Sequence, residues 1–282
     1  MTGLLLVDKP AGPTSFDVIR RLRPVLGAKL GHAGTLDPFA TGLLLILAGK
    51  ATRLATFLSG LDKSYRAVVQ FGAESSTLDP EGELRPTERA ADAASVRAAA
   101  AAMTGPLLQQ VPLASAVRVG GERSYARMRR GELEPPPPRE VRIDELVVEA
   151  FDAASQRATI HVRCSKGTYV RQIAADLGTA TGAGAYCAEL RRLTVGPFSV
   201  EDAGTPAEIE ARPDGPWLRS LREALPHLPE RVLTEQERDA VRHGRALDGD
   251  AAGTVRLVYD GELVAVARAG ERGLQPVAVL QP

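Results

Sequence analysis

The chain has 282 residues, and its 35 Lys+Arg are balanced by 35 Asp+Glu, which excludes a uniformly basic nucleic-acid binder but not a local basic face. Hydrophobic residues at 44% and charged residues at 25% are ordinary globular values that exclude wholesale disorder, and the length suits two domains. Two cysteines, Cys164 and Cys187, make neither a disulfide framework nor a zinc site and fit a reducing cytoplasm, and the longest apolar stretch, Leu43 to Ala48, is far below the roughly 18 residues of a membrane span.

Gly3 to Val7 reads as a buried strand. Loop residues follow, then Thr14 with Asp17 three positions on, a capping box that opens a helix stopped by Pro24. Leu43 to Ala48 reads as a second buried strand, and Tyr65, Ala67, Val69 and Phe71 alternate as a half-buried one. Ala91 to Met103 suits an Ala-rich helix, and Pro135 to Pro138 a stiff spacer. Ala158 to Cys164 alternates again, and Gly167 turns the chain into a helix with Gly178 as the residue just past its end. The Pro-rich stretch 201–229 suggests a connection with a helix around Trp217 to Ala224. Beyond it come a second capping box (Thr234, Glu237), two strands joined at Asp260-Gly261, and a short strand at Val277 to Leu280.

Three features could carry chemistry. The loop Gly31 to Gly42, GHAGTLDPFATG, holds Asp37 before Pro38, which keeps it out of the helical region. Asp-Pro is also a good helix start, but Thr41-Gly42 leaves room for only one turn. Secondly, Arg171 falls at the start of a helix, where the dipole disfavours a cation unless it serves a carboxylate or phosphate; the plain alternative is a surface arginine. Thirdly, Arg118 to Arg142 carries a net +3 and Arg157 to Arg192 a net +4 inside a neutral chain, as a solvated face or as a nucleic-acid groove. The residues Gly49-Lys50-Ala51-Thr52 lack the spacing and hydroxyl of a phosphate-binding P-loop, no dinucleotide fingerprint is present, and the four histidines show no metal-ligand spacing.

The segments GLLLVDKPAGPTSFDV at 3–18, KLGHAGTLDPFATGLLL at 29–45, DKSYRAVVQFG at 62–72, VRCSKGTYVRQIAADLG at 162–178 and ELRRLTVGPF at 189–198 together resemble the TruB family of bacterial tRNA pseudouridine-55 synthases. That resemblance implies an α+β catalytic domain on a long, mainly antiparallel mixed sheet over residues 1–226, with an Arg-rich RNA-clamping insertion near 106–140, and a small PUA-like β module over 227–282. It implies Asp37 as the catalytic aspartate, Tyr65 as the active-site tyrosine that stacks on the target base, and Arg171 as the arginine paired with the aspartate. Tyr169 and Leu190 match residues around the flipped nucleotide, and His32 one that contacts the opened T-loop. The implied substrate is a uridine in the tRNA T-loop, turned into its C-glycoside isomer without cofactor or metal. The implied enzyme is a cytoplasmic monomer, away from membranes and with no obligate protein partner. A non-catalytic tRNA-folding chaperone with the same binding surface is the alternative. Two departures touch RNA contact: Ala114 stands where the family has tyrosine, and Ser75-Ser76-Thr77 stands for Thr-Asp-Thr.

Overall fold

A computed structural model describes residues 1–115, 117–132, 134–249, 252–271 and 273–280; within the Arg-rich segment the side chains of Arg118, Arg123 and Arg129 lie outside that description, as does Ala116. In chain order the principal elements are β1 (Gly3–Lys9), α1 (Ser15–Leu26), β2 (Leu30–His32), β3 (Thr41–Ala48), β4 (Lys63–Phe71), α2 (Ala93–Ala102), β5 (Gly105–Gln109), β6 (Arg139–Asp152), β7 (Arg157–Cys164), α3 (Val170–Thr181), β8 (Ala185–Val195), α4 (Pro206–Ala211), β9 (Leu218–Arg219), β10 (Glu230–Val232), α5 (Glu235–Arg242), β11 (Thr254–Tyr259), β12 (Glu262–Gly270) and β13 (Gly273–Val279).

Contacts divide the chain into two units, 1–37 with 42–61 and 195–282, and 38–41 with 62–194. In the first, the strands of the large sheet run in the order β9-β1-β3, with β2 beside β3. Leu4 faces Leu47 and Leu6 faces Leu45 in an antiparallel ladder. Nearly every residue of β1 and β3 is buried, which is why both read as continuous apolar runs rather than alternating ones. The α1 helix turns Val18, Ile19, Leu22 and Leu26 inward. Its capping box forms as the sequence predicts: the Thr14 hydroxyl accepts the Asp17 N–H at 3.1 Å, and the Asp17 carboxylate accepts the Thr14 N–H at 3.0 Å. The same unit carries a four-stranded sheet, β10-β11-β12-β13. That sheet has an apolar cluster of its own, including Leu233, Val241, Leu257, Val264 and Leu274. Asp260 and Gly261 both take positive φ, as the predicted two-residue hairpin turn requires.

In the second unit the order is β8-β4-β7-β6-β5, with β4/β7, β7/β6 and β6/β5 antiparallel. Tyr65, Ala67, Val69 and Phe71 are buried and Arg66 is exposed, so the period-two reading of β4 holds.

Three expectations need correction. Pro24 lies inside α1, which continues to Leu26 and ends on Gly27 in the left-handed conformation. Proline in the last turn removes one N–H but does not prevent a Gly cap three residues on. No helix forms around Trp217: Leu218 pairs with Leu5 as the edge strand β9, and a turn closed by Ser220 and Glu223 follows. Gly178 is interior to α3, which caps on Gly182 instead. A Cβ on Gly178 would sit 2.2 Å from the backbone nitrogen of Ala185, so the glycine permits the close approach of the chain entering β8.

Gly178→Ala is therefore expected to lower stability by about 2 kcal/mol or more, despite alanine's better helix propensity. Urea unfolding of the two proteins checks the sign.

Candidate functional site

The predicted site residues fall in both units. In the first, His32 ends β2 opposite Ile46, and the Ala33 N–H donates to the Leu45 carbonyl at 3.0 Å. Gly34 then turns the chain with φ of 98°. Asp37 is half-buried, and the residues after it form bends, not a helix, before β3 begins at Thr41. A helix-capping role for Asp37 is thereby excluded, because there is no helix for it to cap. Immediately before it, the buried Ser15 hydroxyl accepts the Leu36 N–H at 2.9 Å and donates to the Leu36 carbonyl at 3.0 Å.

The second unit holds Tyr65, Tyr169, Arg171 and Leu190. Tyr65 is buried on β4 opposite Val162. Leu190 is buried on β8, and its carbonyl accepts the Thr41 hydroxyl at 3.4 Å. Tyr169 is the residue that precedes α3. The buried Gln109 side chain fastens its backbone from both sides, accepting its N–H at 2.8 Å and donating to its carbonyl at 3.0 Å. The Arg139 guanidinium lies 5.1 Å above the Tyr169 ring, a cation–π distance.

Arg171 is the second residue of α3, and its side chain is 3% exposed. Its Nη1 donates to the Thr77 carbonyl at 2.6 Å and to the Asp79 carboxylate at 3.1 Å, and its Nη2 donates to the Ala114 carbonyl at 2.7 Å. The surface-arginine reading is excluded, and the cation at a helix N-terminus is explained by a buried counter-charge.

Asp79 is the residue that the sequence reading missed. It is held by a tight loop. Thr77 Oγ1 donates to its Oδ1 at 2.5 Å, the Glu81 N–H reaches the same oxygen at 3.0 Å, and the Ser75 hydroxyl donates to its carbonyl at 2.6 Å. Leu78 adopts φ of 65°, and a Cβ on Gly82 would come within 2.4 Å of both the Ser75 and Thr77 hydroxyls. One signal was available: the tetrapeptide Thr-Leu-Asp-Pro occurs twice, at 35–38 and 77–80. The two departures noted in the sequence acquire a structural meaning here. Ala114 serves Arg171 through its carbonyl, which any residue provides, and Ser75 and Thr77 supply the hydroxyls that set Asp79.

In the Arg-rich segment, Arg127 pairs with Glu132 at 2.7 Å, and Arg130 pairs with Glu122 and Glu132. Among the described residues no group of three His, Cys, Asp or Glu side chains is placed to hold a metal ion. No helix among them is long and apolar enough to cross a membrane.

Residues 22–170 match the N-terminal domain of the TruB family pseudouridylate synthases. The chain belongs to that family. It is 41% identical to the tRNA pseudouridine synthase B of Thermobifida fusca (strain YX), over 98% of each chain. It is 42% identical to that of Parasynechococcus marenigrum (strain WH8102), over 98% of this chain and 97% of that one. Among solved structures it resembles one of an H/ACA RNP bound to a substrate RNA containing 2'-deoxyuridine, with a TM-score of 0.76 and 23% identity, covering 100% of this chain and 86% of that one. A Cbf5-Nop10-Gar1 complex gives the same TM-score at 24% identity. At that identity the likeness establishes the fold: a TruB-type pseudouridine synthase architecture with a large mixed sheet and a C-terminal sheet module.

Removing the Asp79 carboxylate takes a counter-charge away from a buried guanidinium, so Asp79→Ala is expected to cost about 3–5 kcal/mol, measured by denaturant unfolding. Lys63, two residues before Tyr65, gives a second expectation. Burial, with the Arg192 charge nearby, pulls its ammonium from 10.5 down to about 8. Between those values the unfolded chain holds more protons than the folded one, so stability rises with pH across that window. The stability of the wild type relative to Lys63→Met should climb from pH 8 to 10 and stay flat below pH 7, read from urea midpoints at each pH.

Proposed function

We propose that this chain isomerises a uridine in the T-loop of tRNA to pseudouridine, with Asp37 as the catalytic carboxylate. Pseudouridine synthesis follows from membership of the family, and tRNA as substrate from near-full-length relatives named tRNA pseudouridine synthase B. The observation that supports Asp37 is its setting: a half-buried aspartate on a Gly-rich loop, without a helix to cap and followed by a proline, which disfavours the helical region for the residue before it.

The reaction breaks the N1–C1′ bond, turns the uracil and joins C5 to C1′; the C5 proton is lost and N1 regains one, so no group leaves and nothing is oxidised. The target base must leave its stack, which costs less in an RNA loop than in a duplex. Tyr65 is proposed as the flat surface for that base and Tyr169 and Leu190 as its surroundings, with His32 touching the opened loop. Asp37 acts as an anion, and a nearby guanidinium favours that form. Arg171 is proposed for that task, itself held in orientation by Asp79 and two carbonyls. Residues 227–282, with their own apolar cluster, are proposed as a PUA-like RNA-binding module, and the enzyme is proposed to act in the cytoplasm without a protein partner.

Asp37→Asn keeps the side chain's shape and removes its charge. No pseudouridine should form from unmodified tRNA transcript under single-turnover conditions, read by carbodiimide probing. Affinity for tRNA should stay within about tenfold, or 1.4 kcal/mol, of the wild type. Product from a variant shown by mass spectrometry to be free of deamidation refutes the role, and absence of product from the wild type as well favours the chaperone reading.

A further inference from the structure

We infer that Ser15 is a positioning residue for Asp37, fixing the peptide from which that carboxylate projects. The inference rests on the catalytic reading of Asp37.

Ser15 is the first residue of α1 and is 1% exposed. It has no capping duty, because its neighbour Thr14 already closes the capping box with Asp17. Its hydroxyl is spent on Leu36 alone among the bonds described for it, accepting the N–H and donating to the carbonyl of that one residue. A hydroxyl can do both at once, whereas an ammonium only donates and a carboxylate only accepts.

The position of this bond matters more than its existence. Leu36 is buried, but it lies between β2 and β3, where no strand ladder supplies partners for its backbone. Both of its polar groups would otherwise be buried and unsatisfied, and Ser15 substitutes for the missing strand. The Leu36 carbonyl also belongs to the planar peptide whose nitrogen is that of Asp37. Holding that carbonyl sets the plane from which Asp37 starts. On the other side, Pro38 confines Asp37 to extended ψ. The carboxylate is thus constrained from both sides, by a hydroxyl on a capped helix and by a pyrrolidine ring. A displacement of about 1 Å at a reacting group can lower a rate about a hundredfold, so loss of this anchor should be read in the chemical step.

The test uses the full chain and unmodified tRNA transcript, with single-turnover rate, tRNA affinity and thermal melting measured for Ser15→Ala, Ser15→Thr and Asp37→Asn. Ser15→Ala is expected to turn over about ten- to a hundredfold more slowly, well below its melting temperature, while affinity stays within about threefold. Ser15→Thr, which keeps the hydroxyl, is expected to recover most of the rate. A role confined to stability would lower the melting temperature and leave the rate of the folded protein alone. Should Ser15→Ala not fold, Ser15→Cys keeps the shape with a weak donor and acceptor and carries the same comparison. The inference is overturned if the folded variant lacking the hydroxyl runs within twofold of the wild type, if Ser15→Thr is no faster than that variant, or if rate and affinity fall together. The two readings fail differently. An active Asp37→Asn overturns the catalytic role, whereas an inert Asp37→Asn beside a wild-type rate for Ser15→Ala overturns only the positioning role.

Discussion

A guanidinium sealed to 3% exposure dictates the structure around it. Taking such a charge out of water costs several kcal/mol, which only a counter-charge and well-aimed acceptors offset. Arg171 makes the problem harder by sitting at the positive end of α3. The second unit answers with three acceptors from two segments far apart in sequence: the Thr77 carbonyl and the Asp79 carboxylate from one loop, and the Ala114 carbonyl from another. The demand then passes outward. Asp79 must itself be aimed, which takes the Ser75 and Thr77 hydroxyls, a left-handed Leu78 and a residue without Cβ at position 82. The 75–82 loop is best understood as the mounting of one carboxylate.

A second theme is the side chain that replaces a strand. Where backbone leaves a ladder and is still buried, its N–H and C=O need partners. Ser15 provides both for Leu36, and Gln109 accepts the N–H of the half-buried Tyr169 and donates to its carbonyl, which also takes the first N–H bonds of α3. Each anchored residue lies within two positions of a group proposed for catalysis: Leu36 beside Asp37, and Tyr169 two before Arg171. Irregular backbone is what lets these groups leave the sheet, and a two-way hydrogen bond is what keeps the departure rigid.

The Arg-rich segment shows how a charge count and a charge arrangement differ. Its net +3 suggests a basic face, but Arg127 and Arg130 are already tied to Glu122 and Glu132. A phosphate approaching them competes with exposed ion pairs, which are individually weak and screened by salt. These pairs lower the cost of a basic cluster in the absence of RNA without closing it to an anion.

What the sequence determined by itself was local. Both capping boxes, the Asp260-Gly261 turn, the buried runs of β1 and β3 and the alternation of β4 depend on residues a few positions apart, and each is found where its pattern predicts. The loop around Asp37 was legible because its unusual chemistry is contiguous. The tertiary structure decided everything that depends on distant neighbours. Leu218 became a strand because Leu5 offered an open edge, and Gly178 stayed inside a helix because Ala185 passes within reach of where a Cβ would stand. Asp79 looked like an ordinary turn residue until Arg171, 92 positions away, was folded against it. No local pattern encodes such a pairing, because its energy comes from excluding water around two charges, and only the assembled chain excludes water.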